Sequence, residues 1–117
     1  MRADPRGLLW DAHDAAETVA VFIRGRTLAE YRADRMLRSA VERQCEVVGE
    51  ALNRLAKVAP DLAARVPGLA QAVAFRNLLI HGYAVVDDAV VWRTVQQDLP
   101  ELSRDLAALL AETGPQG

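Results

Sequence analysis

Cysteine occurs once in this chain of 117 residues, at Cys45, so neither an internal disulfide nor a cysteine metal cluster is possible. Lysine also occurs once, against thirteen arginines. Aromatic residues make up 5% of the sequence, too few for the facing sheets of a β-sandwich, and no alternating strand pattern is present. No apolar run approaches the roughly 20 residues of a membrane span. Near the start, Asp11, Asp14 and Glu17 interrupt the continuous apolar core that a signal peptide needs. The net charge of −2 exerts no global pull toward nucleic acid or membrane. Together these absences give the expectation of a soluble, cytoplasmic protein.

What is present is helical spacing. The hydrophobic content of 51% is rich in alanine and fits one domain over residues 1–117, with a disordered tail from about 113. Leu8, Ala12, Ala15, Val19, Phe22 and Ile23 place a first helix over about Pro5 to Arg24, closed by Gly25. Thr27 and Glu30 have the spacing of a capping box and open a second helix, expected to run unbroken to about Val58. Val41, Cys45, Val48, Leu52 and Leu55 form its seam, which makes Cys45 a core residue and not a reactive thiol. Pro60 and Pro67 bound a connection with one helical turn. A third long helix spans about Leu69 to His81, and Asp87 or Asp88 can cap a last one, which Pro100 should kink or restart. Trp10 and Trp92 are expected in the core at helix ends. The fold class is therefore all-α, an up-and-down four-helix bundle with a short extra helical turn.

The third helix carries "RNLLIHGY", Arg76 to Tyr83. At about 100° per residue, Tyr83 falls about 20° behind Arg76, with Asn77 and His81 about 100° and 140° ahead of it. Phe75, Leu78, Leu79 and Gly82 fall opposite. This arithmetic predicts an apolar face that builds the bundle and a polar face left free. Asparagine and histidine are poor helix formers, and an ordinary solvated face would favour Glu, Lys and Gln. The loss of propensity points to function.

"RNLLIHGY" is an R-x4-H motif followed by x-Y, and it resembles the HepT-like branch of the HEPN domains. "AVERQCEVVGEALNRL", Ala40 to Leu55, is similar to that branch's second-helix signature, and the resemblance extends over roughly residues 8 to 110. Where the branch often has Ile-Pro-Trp before the motif helix, this chain has Val66, Pro67 and Gly68. The resemblance implies a metal-independent endoribonuclease without cofactor, the toxin of a toxin–antitoxin pair whose antitoxin is a minimal nucleotidyltransferase. By position, Arg76 and His81 are the implied catalytic pair, Asn77 the supporting polar residue and Tyr83 the tyrosine that the antitoxin adenylylates. A non-catalytic HEPN module that binds nucleotide or a nucleotidyltransferase is the alternative.

The chemistry of the residues is compatible with the first reading. RNA carries its own nucleophile, the 2′-hydroxyl. An imidazole can move protons near neutral pH, and a guanidinium can hold a phosphate with paired donors. One histidine does not readily serve both proton transfers, so a homodimer or higher assembly with apposed motif helices is expected. Glu42, Glu46, Glu50 and Asn53 form a polar stripe on the second helix, read as a solvated edge, with orientation of the motif helix as its alternative role. Six arginines between Arg24 and Arg43 read as an exposed face and, less directly, as an RNA path through Arg32, Arg35 and Arg38. His13, among acidic neighbours, reads as a surface residue. Two histidines so far apart give little support to a metal site.

Overall fold

Asp4 starts the first helix: its carboxylate accepts from the Gly7 N–H at 2.7 Å, and Pro5 at the first position has no donor to lose. The computed structural model describes residues 4–113. Helix α1 (Pro5–Ile23) buries Leu8, Leu9, Ala12, Ala15, Ala16 and Val19 along one stripe. It ends before Gly25, whose φ of +72° is a left-handed conformation that glycine adopts without penalty. The tail expected to be disordered lies, from residue 114 on, outside the described residues.

The capping box forms as its spacing predicts. The Glu30 N–H donates to Thr27 Oγ1 at 3.1 Å, and the Thr27 N–H donates back to Glu30 Oε1 at 2.9 Å. The helix it opens, however, does not run to Val58. Helix α2 (Leu28–Ala33) stops at Asp34, which leaves the helical conformation at φ −111° and ψ 98°. There the Asp34 carboxylate accepts from the Leu37 N–H at 3.0 Å and caps a new helix, α3 (Arg35–Val58). An aspartate gains more from capping than from propagating a helix, and here that local preference wins. The break lets Tyr31 bury itself completely, with its ring 5.3 Å from that of Trp92. Trp92 is half-buried there, whereas Trp10 is 44% exposed and is not the core residue expected.

The remaining helices are α4 (Pro60–Ala63), α5 (Leu69–His81), α6 (Asp88–Arg93) and α7 (Leu99–Glu112). Helix α5 has the bounds expected of it. Asp87 caps α6 by accepting from the Ala89 N–H at 2.8 Å. Pro100 sits in the first turn of α7, and the chain widens into a π-helical turn over Thr94–Asp98 just before it. The expected restart is thus a π-turn followed by a fresh helix.

The long helices make an all-α bundle with one open edge. Helix α1 lies along both α3 and α7, and α3 lies along α5. Helices α5 and α7 make no comparable approach, so α3 is the main support of α5. The core runs between α1, α3 and α7 through Leu8, Val19, Val41, Leu52, Leu55 and Leu106.

How closely α5 approaches α3 is set at Gly49. A Cβ at this position would meet the Arg76 Cβ and come within 2.8 Å of the Ala72 carbonyl oxygen. Gly49→Ala should therefore push α5 outward and destabilise the fold by about 1–3 kcal/mol in chemical denaturation. Gly68→Ala, whose Cβ would sit an ordinary 3.5 Å from Leu102, should stay within about 0.5 kcal/mol of wild type.

Candidate active site

The packed face of α5 is not the one that helical arithmetic selects. Among the residues that turn inward, only Leu79 is fully buried, and Leu69, Ala72, Val73, Phe75 and Arg76 are half-buried. Their mean direction lies close to Arg76 itself. Leu78, expected to build the bundle, is 39% exposed, and Asn77 and His81 are exposed beside it. Arg76 thus points at α3, over Gly49. An arginine tolerates this position because its aliphatic stem packs while its charged head reaches outward.

The head is steered. Arg76 Nη1 donates to Asn77 Oδ1 at 2.9 Å, which draws the guanidinium out of the packed face toward the next sector of the helix. Its Nε stays buried without a protein partner. Asn77 and His81 are four residues apart, so they lie on one side of α5, separated by one turn of about 6 Å. The guanidinium is thereby held at Asn77, whose backbone lies one helical turn before that of His81. Arg76 and His81 diverge by about 140° at the backbone, and Asn77 narrows the gap.

Helix α5 ends at His81, where the Gly82 N–H donates to the Leu78 carbonyl at 2.8 Å. The backbone of Tyr83 then opens a short 3₁₀ turn, Tyr83–Val85. The position calculated for Tyr83 assumed a regular helix through Gly82, and the backbone departs from one there. The Tyr83 side chain lies outside the described part of the structure.

Beside this end of α5 lies negative charge that the motif does not announce. Glu46 and Glu42 precede Gly49 by three and seven residues, on the side of α3 that carries α5. Both are half-buried, as is Asn53, while Glu50 alone of the stripe is exposed. Burial first, then Asp88 and Glu46, raise the Glu42 carboxyl above its ordinary value, and Arg38 opposes them. The stripe is therefore more than a solvated edge at two of its acids. Asp88, which belongs to this cluster, carries no sequence signal beyond its capping position. Cys45, 4% exposed, has its thiol pushed up to about 12, chiefly by burial, as a core residue should. Among the described residues, no group of three or more His, Cys, Asp and Glu is placed to hold a metal ion, and no helix is long and apolar enough to cross a membrane.

The family model described as ribonuclease HepT-like matches residues 12–109. The chain belongs to this family. It is 31% identical over 102 residues to "Probable ribonuclease HepT" of Thermococcus cleftensis, covering 87% of this chain and 92% of that one. It is 29% identical over 105 residues to "Putative RNase MJ1380" of Methanocaldococcus jannaschii, covering 90% and 95% of the two chains. No solved structure gives a significant match.

The acid cluster generates a pH prediction. A carboxyl whose folded pKa is raised contributes its stability fully below its ordinary value and loses it as pH rises through the raised value. Glu42→Gln should therefore raise the melting temperature at about pH 7, and the gain should shrink toward about pH 4. Thermal melts of the two proteins at both pH values check this, and an advantage that does not depend on pH would locate the effect elsewhere.

Proposed function

We propose that the chain is a metal-independent endoribonuclease in which Arg76 and His81 act on one phosphodiester. The observation that carries this reading is the Arg76–Asn77 hydrogen bond, which presents a guanidinium on the side of α5 where His81 stands exposed. Arg76 binds the scissile phosphate and offsets the charge that grows on its oxygens. An imidazole takes the proton of the 2′-hydroxyl, and the 2′-oxygen attacks phosphorus. The bond from phosphorus to the 5′-oxygen then breaks, and that oxygen leaves with a proton from an imidazolium. The products are a 2′,3′-cyclic phosphate and a 5′-hydroxyl.

A single His81 faces two proton transfers, and a homodimer that apposes two copies of α5 supplies two. The exposed apolar side chains beside His81 favour such a pairing: Leu78 at 39%, Ile80 at 37% and Val85 at 77% exposure are more than a solvated helix end needs. His81→Ala should abolish cleavage of total RNA in EDTA while shifting stability by less than about 0.5 kcal/mol. Arg76→Ala should also abolish cleavage but cost about 1 kcal/mol, because its stem packs on α3. Arg76→Lys keeps the stem and isolates the loss of paired donors. Full activity in His81→Ala would overturn the assignment, and an intact, folded wild type that binds RNA without cleaving it would favour a binding module instead.

The same reading makes the protein a toxin whose antitoxin is a minimal nucleotidyltransferase that adenylylates Tyr83. The placement of Tyr83 directly after α5, where the helix gives way to a short turn, supports access by a second enzyme. An added AMP brings a phosphate to the end of α5 that carries His81, where it competes with RNA for the site and repels it by charge. Co-expression with the partner enzyme should add AMP-sized mass to Tyr83, and Tyr83→Phe should stay unmodified and toxic. Inhibition of Tyr83→Phe as complete as that of wild type would mean that control is steric.

A further inference from the structure

The open edge between α5 and α7 is a groove with a volume of 260 Å³. Its floor and walls are apolar, from Cys45 and Val48 of α3, Ala72 and Phe75 of α5, and Leu99 and Leu102 at the start of α7. Its rim on the α7 side is acidic. Asp98, Glu101 and Asp105 follow one another at spacings of three and four, so their carboxylates line one side, and none of the ion pairs among the described residues engages them. Such a rim repels phosphate, so the groove is not a continuation of an RNA path. It fits an apolar knob flanked by cations.

The chain displays such a knob. Met36, in the first turn of α3, is 83% exposed, the most exposed large apolar side chain among the described residues. Ser39 and Ala40, small residues at its i+3 and i+4 positions, leave it standing proud. Arg32 and Arg35 beside it are exposed, and Arg43, which is exposed and pairs with Glu46 at 3.6 Å, lies on the same side of α3 two turns on. Methionine is unbranched and adapts to irregular apolar space, which suits it to a shallow groove.

Met36 and Cys45 are nine residues apart on α3, which places them about 13.5 Å apart along the axis and about 180° apart around it. Knob and groove therefore face opposite ways and cannot meet within one chain. We infer that Met36, with Arg32, Arg35 and Arg43, seats in the α5–α7 groove of a second copy of this chain, against that copy's Asp98, Glu101 and Asp105. Because the two surfaces face opposite ways, one neighbour cannot engage both. The contact is head-to-tail, and it propagates to a ring or filament instead of closing as a twofold dimer. A contact built on one side chain in a groove of this volume is weak and concentration-dependent. It is independent of the α5 surface proposed above for dimerisation and of any ribonuclease activity.

Sedimentation velocity of the full chain over a wide concentration range tests it. The weight-average mass of wild type should keep rising with concentration. Met36→Glu and Asp105→Arg should each remove that rise, whatever basal assembly remains. Met36 is too exposed for its replacement to unfold the chain, and circular dichroism checks that Asp105→Arg is folded. An equimolar mixture of the two variants keeps one intact knob and one intact groove, so it should associate where neither variant does alone. The double variant Arg35→Glu with Asp105→Arg should regain part of the rise, since the charges are exchanged. A wild-type mass that stays flat, a rise that survives Met36→Glu, or a mixture that does not associate would each overturn the inference.

Discussion

Gly49 has no Cβ, and the Arg76 Cβ and the Ala72 carbonyl occupy the neighbourhood a Cβ would need. That close approach sets the rotation of α5 about its own axis. With Arg76 directed at α3, the helix presents Asn77, Leu78 and His81 to the outside, and the guanidinium must travel round to Asn77 to reach them. A helix rotated by half a turn would bury His81 and leave Arg76 free. The pairing of a packed arginine with an exposed histidine follows from one missing methyl group, and the polar character of the motif follows the packing instead of opposing it.

Much of this architecture is legible in the chain. The capping box at Thr27 and Glu30, the bounds of α5 and the burial of Cys45 each rest on local chemistry that operates the same way in isolation and in the fold. The break at Asp34 is local too, yet the apolar seam on both sides masks it, because a helix period continues across a residue that has left the helix. The rotation of α5 is different in kind. Leu69, Ala70, Ala72, Val73, Phe75, Leu78, Leu79 and Ile80 surround the helix on all sides, so periodicity alone does not choose a face. The choice is made by a neighbour. The one local clue is Gly49, which costs about 1 kcal/mol inside a helix and so asks for a packing reason. The membership of Arg76, Asn77, His81 and Tyr83 in one motif is readable, as are the relative directions of the first three, but not that of Tyr83, since the arithmetic carries a regular helix through Gly82 where the chain passes into a 3₁₀ turn.

Support of α5 mainly by one helix has a second consequence. A helix enclosed on two sides has no surface to spare, whereas α5 keeps two, one bearing His81 with Leu78 and Ile80, the other forming a wall of the groove toward α7. Their electrostatics differ. On the first side stands a guanidinium held by Asn77, on the second a row of three carboxylates. A polyanion is drawn to the former and repelled by the latter, so of the two sides of α5 the substrate proposed here keeps to the one that bears His81. The acids at Glu42, Glu46 and Asp88 extend the same logic to the end of α3. They bound the positive region at its far side, where a carboxylate that burial already disfavours would resist further negative charge. A net charge of −2 is thus compatible with an anionic substrate, because what an RNA strand would meet is the local field along one face of α5 and not the sum over the chain.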